Sequence, residues 1–149
     1  MTVLAAGSAS AYAALRLDAP LTEAASDRRI ASVCSMSGQS AGEVVRVHLE
    51  AFSSRDLPAM IATMAPDAVF VTGRTLVAPE EFEEFFSWAM REIDPTMEII
   101  NLVVDGGRVA CEFLESVTLE AHRKHLNRAA FYTVKDGVIT SAKVYDERD

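Results

Sequence analysis

Cysteine is scarce in this chain, and its scarcity excludes two classes of protein. The two cysteines among 149 residues, Cys34 and Cys111, are too few for a disulfide framework and lack the spacing of a metal-binding motif. Cys111 lies in a strand-like run, where a buried free thiol is the expected state. Long apolar runs are missing as well, because none approaches the roughly 20 residues that a membrane-spanning helix needs.

Basic residues are outnumbered, since 14 Lys and Arg stand against 22 Asp and Glu and the formal net charge is −8. This balance argues against nucleic acid or an anionic membrane as the main partner, because both bind basic patches. A glycine-rich phosphate loop and a His/Asp cluster at metal-ligand spacing are also missing, so no cofactor and no metal are expected. The opening residues, Met-Thr-Val-Leu-Ala-Ala, lack the charged start and apolar core of a secretory signal, which makes the cytoplasm the expected location.

The residues that are present suit a single domain, because half of them are hydrophobic and the chain is long enough to bury about two thirds of its surface. Residues 1–37 are rich in Ala and Ser with little periodicity, and we expect them to form a flexible N-terminal extension. Met36 stands just before the first clear helix and is an alternative translation start. Residues 38–149 are then the folded domain.

Three helices are predicted in the first half of that domain. Apolar side chains at helical spacing predict the first helix over residues 41–53. Asp56 is placed to cap a second helix over 57–64, which has a proline in its first turn. A third helix is predicted over 79–93, with phenylalanines on its inner side.

Strands are predicted around and after the third helix. A short strand over 68–72 precedes a loop between Gly73 and Pro79. The later pattern is typical of β-structure, with turns at Asp105-Gly106-Gly107 and at Asp136-Gly137. The four strands predicted there cover residues 97–104, 108–119, 125–134 and 138–147. Helices that precede such a meander indicate an α+β fold in which the helices cover one face of a curved sheet.

This element order, together with the segments Val44–Leu57, Met64–Val71 and Val134–Tyr145, resembles the SnoaL-like polyketide cyclases. They belong to the superfamily that also holds ketosteroid isomerase, scytalone dehydratase, limonene-epoxide hydrolase and nuclear transport factor two. The resemblance covers about 41–147 and rests on scaffold motifs. It implies a cone-shaped single domain, with three N-terminal helices packed on a strongly curved, mostly antiparallel sheet. It also implies a deep apolar pocket and, often, a homodimer.

The catalytic residues of two branches of this superfamily do not carry over intact. The isomerase branch has an oxyanion-binding tyrosine, a proton-abstracting aspartate and a second acid, which match His48, Thr72 and Ala130, respectively. The epoxide-hydrolase branch has an arginine between two catalytic aspartates, and these positions match Phe113, Glu115 and Val144. The resemblance therefore implies the scaffold and leaves the reaction open.

Strand alternation predicts which side chains face the pocket. One face of 109–119 carries Val109, Cys111, Phe113, Glu115 and Val117, and the resemblance places this face inward. The matching faces of the next two strands carry Leu126, Arg128 and Ala130, and then Ala142, Val144 and Asp146. The residues expected to contact a substrate are Phe70, Thr72, Phe86, Phe113, Val117, Leu126, Ala130 and Val144. Ionisable groups in such an apolar lining must pair or shift their pKa.

Four residues are candidates for catalysis, namely Asp146, Glu115, His48 and Arg128. Arg128 between the two acids would hold one of them ionised and leave the other as a base. His48, on the buried face of the first helix, would stabilise negative charge on a substrate oxygen or act as a base. The leading hypothesis is a cofactor-independent cyclase, isomerase, dehydratase or epoxide hydrolase. It would act by acid–base chemistry on a small, hydrophobic, polyketide- or terpenoid-like molecule.

Each candidate also has a structural interpretation. In this interpretation His48 is an ordinary core histidine, Glu115 and Arg128 form a structural salt bridge, and Asp146 is a solvated strand end. Together with the incomplete catalytic sets of the two branches, these interpretations favour the alternative hypothesis, a non-catalytic ligand-binding or dimeric interaction module of the same fold. A third hypothesis is that residues 1–37 fill the pocket. Tyr145, on the opposite face of its strand, is expected to pack there or to meet a partner in the homodimer that the resemblance implies.

Overall fold

The computed structural model describes residues 40–147. The predicted extension over 1–37, with Cys34 and the alternative start at Met36, lies outside the described residues. No helix within 40–147 is long and apolar enough to cross a membrane.

Two helices open the described chain, and local sequence explains where each begins. Helix α1 spans Ala41–Ser53, and the hydroxyl of Ser40 caps it by accepting a hydrogen bond from the Glu43 amide at 3.2 Å. Helix α2 spans Leu57–Ala62 and is capped by Asp56, as predicted. Helix α2 is two residues shorter than the predicted 57–64, because the chain has already entered a strand by residue 64.

The first strand is longer than predicted, and the predicted loop after it contains a second strand. Strand β1 spans Met64–Thr72, and it includes Pro66 because its pairing shifts register between residues 64 and 69, where a missing N–H is tolerated. Gly73, at a φ of 58°, begins the tight turn into strand β2, Thr75–Val77. The two strands pair antiparallel, so the loop predicted between Gly73 and Pro79 is in fact a short hairpin arm.

The predicted third helix is divided into two parts. A 3-10 turn at Pro79–Glu81 leads into helix α3, Phe82–Glu92. The inner side of α3 buries Phe82, Phe86 and Ala89 against the sheet, in agreement with the predicted apolar face.

The four remaining strands form the predicted meander. They are β3 (Thr96–Asp105), β4 (Arg108–Leu119), β5 (His122–Lys135) and β6 (Val138–Asp146). Strand β5 begins three residues before the predicted position 125. It does so because Glu120 and Ala121, both with positive φ, make the turn themselves and leave residues 122–124 free to pair with β4. The turn at Asp136-Gly137 is confirmed, with φ of 52° and 76°.

These elements assemble into one sheet with the order β2-β1-β6-β5-β4-β3. Only the β1–β6 pair of this sheet is parallel, so the sheet is mostly antiparallel, as expected. The helices pack on one face, and a continuous apolar core lies between the two layers. The α+β cone predicted from the sequence is therefore confirmed. A small cavity lies between the helices and strands β1, β3, β4, β5 and β6.

Candidate functional site

A cavity of about 40 Å³ lies inside the cone, with room for about three water molecules. Most of its wall is apolar, and aromatic rings from α1, α3 and the sheet make up much of that surface. The residues that line it are His48, Leu49, Phe52, Met60, Phe70, Thr72, Phe85, Phe86, Ala89, Met97, Phe113, Glu115, Arg128, Tyr132 and Val144. An apolar chamber with a few polar groups is the usual form of a small-molecule site.

Three ionisable side chains meet across strands β4, β5 and β6. The Arg128 guanidinium donates from Nε to the Glu115 carboxylate, and its Nη1 forms an ion pair with the Asp146 carboxylate. The register explains the contacts, because Arg128 stands directly opposite Asp146 on one side and opposite Phe113 on the other. Glu115 is two residues from Phe113 on β4, which makes it the diagonal neighbour of Arg128 on the same face.

The three members of this cluster differ in burial. The Glu115 and Arg128 side chains are 7% and 8% exposed and line the cavity, whereas the Asp146 side chain is 22% exposed and does not. Burial raises the pKa of Glu115, and the neighbouring Arg128 charge only partly opposes this effect. Since one guanidinium serves two carboxylates, a proton on Glu115 would leave the cluster electrically neutral. Glu115 is therefore the member with a carboxyl group that faces the cavity and is suited to carry a proton.

His48 lies in the cavity wall on α1 and is 2% exposed. Its Nδ1 is 2.8 Å from the Thr63 hydroxyl oxygen, and that hydroxyl donates to the Met60 carbonyl at 2.6 Å. The Thr63 hydroxyl has a single proton, which it donates in the hydrogen bond to the Met60 carbonyl. Nδ1 of His48 therefore carries a proton of its own and donates a hydrogen bond to the Thr63 oxygen. Burial lowers the pKa of His48 to about 4, which keeps the ring neutral at pH 7. Nε2 then holds a lone pair and accepts hydrogen bonds.

Tyr132 also lines the cavity, and sequence reasoning did not single it out. It is 3% exposed, and its ring meets the His48 ring edge-on, with centroids 6.0 Å apart. Burial raises the pKa of its hydroxyl, so the group is neutral near pH 7. The signal that identifies Tyr132 is the alternation that selected Arg128 and Ala130, continued by one more step along β5.

Eight of the twelve predicted site residues line the cavity, and four do not. The eight are His48, Glu115, Arg128, Phe70, Thr72, Phe86, Phe113 and Val144. Val117 and Leu126 lie nearer the β4–β5 hairpin, and Asp146 lies behind Arg128. Ala130 is fully buried between two longer side chains on its face of β5, and its methyl group is too short to reach the cavity. The predicted set also lacked several wall residues besides Tyr132, namely Leu49, Phe52, Met60, Phe85, Ala89 and Met97.

Within residues 40–147, no group of three or more His, Cys, Asp and Glu side chains is placed to hold a metal ion. Cys111 is buried with a free thiol. Its pKa is raised to about 11, mainly by burial, so the thiol stays protonated at neutral pH.

Comparison with known proteins identifies the scaffold. The family model described as "SnoaL-like domain" matches residues 45–142. A LEH-like epoxide hydrolase from M. tuberculosis superposes with a TM-score of 0.67 at 19% identity, over 72% of this chain and 82% of that one. IdmH from Streptomyces antibioticus, a proposed polyketide cyclase, superposes with a TM-score of 0.64 at 19% identity, over 73% and 93%.

A third similar structure comes from Catenulispora acidiphila, a protein with a ketosteroid isomerase-like fold in complex with trimethylamine. It superposes with a TM-score of 0.63 at 16% identity, over 69% of this chain and 84% of that one. Identities this low establish a shared fold. A search of curated proteins gives no significant match.

Proposed function

Because the chain belongs to the SnoaL-like domain family, we propose that it is a cofactor-independent enzyme that performs acid–base chemistry on a small, largely apolar molecule. Structures with the same fold include a proposed polyketide cyclase and an epoxide hydrolase, and we propose a polyketide- or terpenoid-like substrate. The cavity supports this proposal, because aromatic walls surround a few convergent polar groups.

One observation carries the proposal, namely that Glu115 brings a buried carboxyl with a raised pKa to the cavity wall beside Arg128. A carboxyl whose pKa is shifted towards neutrality can both accept and return a proton. In this assignment Glu115 is the catalytic base, and Arg128 orients its carboxylate through Nε. Asp146 is a positioning residue, because it contacts Arg128 from outside the cavity.

In the proposed reaction, the Glu115 carboxylate removes a proton from a carbon next to a substrate carbonyl. The C–H bonding electrons move towards the carbonyl oxygen and form an enolate. If protonated Glu115 returns the proton to a different carbon, the result is an isomerisation. If the enolate carbon instead attacks a second carbonyl, a C–C bond closes a ring, and the proton passes to the new alkoxide. A polyketide- or terpenoid-like substrate needs a wider cavity than 40 Å³, so binding would require a half-buried wall side chain such as Phe85 of α3 to move aside.

Proton exchange tests this assignment without the natural substrate. We expect the protein to accelerate the exchange of α-protons in small ketones dissolved in D₂O, as read by NMR. The variant Glu115→Gln should reduce this rate by about 100-fold, within the range typical of a lost general base. A matched change on the outer face of the same strand, Glu112→Gln, should leave the rate unchanged. Equal exchange by the E115Q variant and the unmodified protein would refute the assignment.

The second candidate function is a non-catalytic ligand-binding module, and two observations favour it. Arg128 is neutralised from both sides by Glu115 and Asp146, as a structural ion cluster would be. The cavity is also small. On this alternative the protein binds small ketones, shown by chemical-shift changes at cavity residues, but does not accelerate their exchange.

We further propose that the chain forms a homodimer through the outer face of the sheet. Phe131 and Tyr145 are 44% and 42% exposed there, and their rings are in edge contact with centroids 6.0 Å apart. A second copy would remove this apolar surface from water. Light scattering should show a dimer for the unmodified protein and a monomer for Phe131→Glu. An unmodified protein that is already monomeric would rule the dimer out.

A further inference from the structure

The cavity has a second polar end, formed by His48 and Tyr132, which the proposed proton transfer at Glu115 does not use. Tyr132 and Arg128 are four residues apart on β5, which separates their Cα atoms by about 13 Å along the strand. The two ring side chains touch each other at 6.0 Å between centroids, and both line the cavity. A ligand in the cavity would therefore meet a charged cluster at one end and two neutral polar groups at the other.

This neutral end offers a ligand one hydrogen-bond acceptor and one hydroxyl group. The Thr63 oxygen already accepts a hydrogen bond from the Nδ1–H of His48, so the remaining ring nitrogen, Nε2, is an acceptor only. The Tyr132 hydroxyl can donate and accept, and within residues 40–147 no hydrogen bond joins it to another side chain or to the backbone. The Tyr132 side chain is 3% exposed and lines the cavity, so a molecule in the cavity is a partner that its hydroxyl can reach.

We infer that the His48–Tyr132 end recognises a hydroxyl group of the substrate, whose O–H donates to His48 Nε2 and whose oxygen accepts from the Tyr132 O–H. A hydroxyl is the simplest group that satisfies both positions. A carbonyl oxygen can accept from Tyr132 but has no proton for Nε2, and an ammonium group has no lone pair for Tyr132. The inference rests on the proposed function in one respect, that the cavity takes a small molecule. It narrows the substrate class to compact hydroxylated molecules whose reacting carbon lies at the opposite, Glu115 end.

Two solvents of matched size are suitable probes, 2-propanol and acetone. Both have four heavy atoms arranged alike, and they differ in whether the oxygen carries a proton. We expect NMR titration of the full chain to show 2-propanol binding about tenfold more tightly than acetone, because acetone leaves the buried acceptor on His48 unpaired. The ¹⁵N signal of His48 Nε2 should shift with 2-propanol as a hydrogen bond forms there.

Two variants separate the two contacts. Tyr132→Phe removes only the hydroxyl, and it should weaken both probes by about tenfold without changing their ratio much. His48→Gln replaces the acceptor with an amide that can also donate, and the preference for 2-propanol should fall towards one. The matched control Tyr145→Phe, made on the outer face, should change neither affinity.

Three results would overturn the inference. They are equal or tighter binding of acetone by the unmodified protein, no cavity binding of either probe, and a preference for 2-propanol that survives in H48Q. The Glu115→Gln variant distinguishes a failure of the hydroxyl assignment from a failure of the proposed function. If Glu115 is not the base, ketone exchange is unaffected by E115Q while the preference for 2-propanol persists. If the hydroxyl assignment is wrong, the preference is absent while E115Q still slows exchange.

Discussion

The two ends of the cavity accommodate buried polar groups in different ways. At one end Glu115, Arg128 and Asp146 are charged or ionisable, and each depends on the others for compensation. At the other end His48 is neutral, and its Nδ1–H donates a hydrogen bond to Thr63, the C-cap residue of helix α2. Loss of any one of the three charged side chains should therefore destabilise the protein at the charged end. At the neutral end, protonation of the His48 ring should have that effect.

The largest effect should follow from removing the shared cation. Arg128→Met leaves the buried Glu115 and its partner Asp146 without their counter-charge, and we expect a loss of about 3 kcal/mol in the free energy of unfolding, measured by urea denaturation. The triple variant E115Q/R128M/D146N should recover much of this loss. The surface change Arg46→Met on α1 should cost less than about 0.5 kcal/mol. If R128M were no more costly than R46M, the charged end would not be a coupled unit.

The neutral end should respond to pH in a defined direction. The pKa of His48 is about 4 in the folded protein and 6.5 when unperturbed, so the unfolded chain takes up a proton first as the pH falls. The stabilisation from neutral His48 is therefore complete above pH 6.5 and is lost between 6.5 and 4. The loss over that range is about 3 kcal/mol. The free energy of unfolding of H48Q, measured across the same pH range, should lack this loss. If H48Q showed the same pH dependence as the unmodified protein, His48 would be excluded as the cause of the loss.

A smaller effect on stability should distinguish the two hydroxyl groups near His48, those of Thr63 and Tyr132. Thr63→Val removes the acceptor of the buried Nδ1 proton, and we expect a loss of about 2 kcal/mol from the unpaired donor. Tyr132→Phe removes a hydroxyl that has no hydrogen bond to the described residues, and it should cost less than about 1 kcal/mol. Thermal or urea unfolding of the two variants would measure the difference. Equal costs would mean that Thr63 does not hold the His48 ring.

The charged end could be predicted from the sequence, because alternation along strands is a property of the backbone itself. Alternation grouped the side chains of each strand by face, and the family resemblance placed the faces of Glu115 and Arg128 inward. The pairing of β5 with β6 brings Asp146 opposite Arg128. The neutral end could not be predicted in the same way. The contact between His48 and Thr63 depends on how α1 packs against the end of α2, and a residue pattern within one helix carries no such information.

The errors in the predicted elements have physical causes of the same kind. Pro66 and Asp67 look like a helix stop followed by a loop, yet β1 passes through them because its partner strand β6 allows a register shift there. Glu120 and Ala121 form a turn without glycine, which no local turn signal indicates. Both features depend on pairing with a neighbouring strand. The wall residues contributed by α3, such as Phe85, likewise required the position of the helix over the sheet.

The most direct test of the central claim is the pH titration of the Glu115 side-chain carboxyl, observed by ¹³C NMR in the unmodified protein and assigned by its absence in E115Q. We expect a pKa above the ordinary value of 4.5, because burial outweighs the neighbouring Arg128 charge. That result would leave Glu115 able to carry a proton in the cavity. A pKa below 4.5 would contradict the assignment of Glu115 as the base and would identify Glu115 and Arg128 as a permanently ionised structural pair.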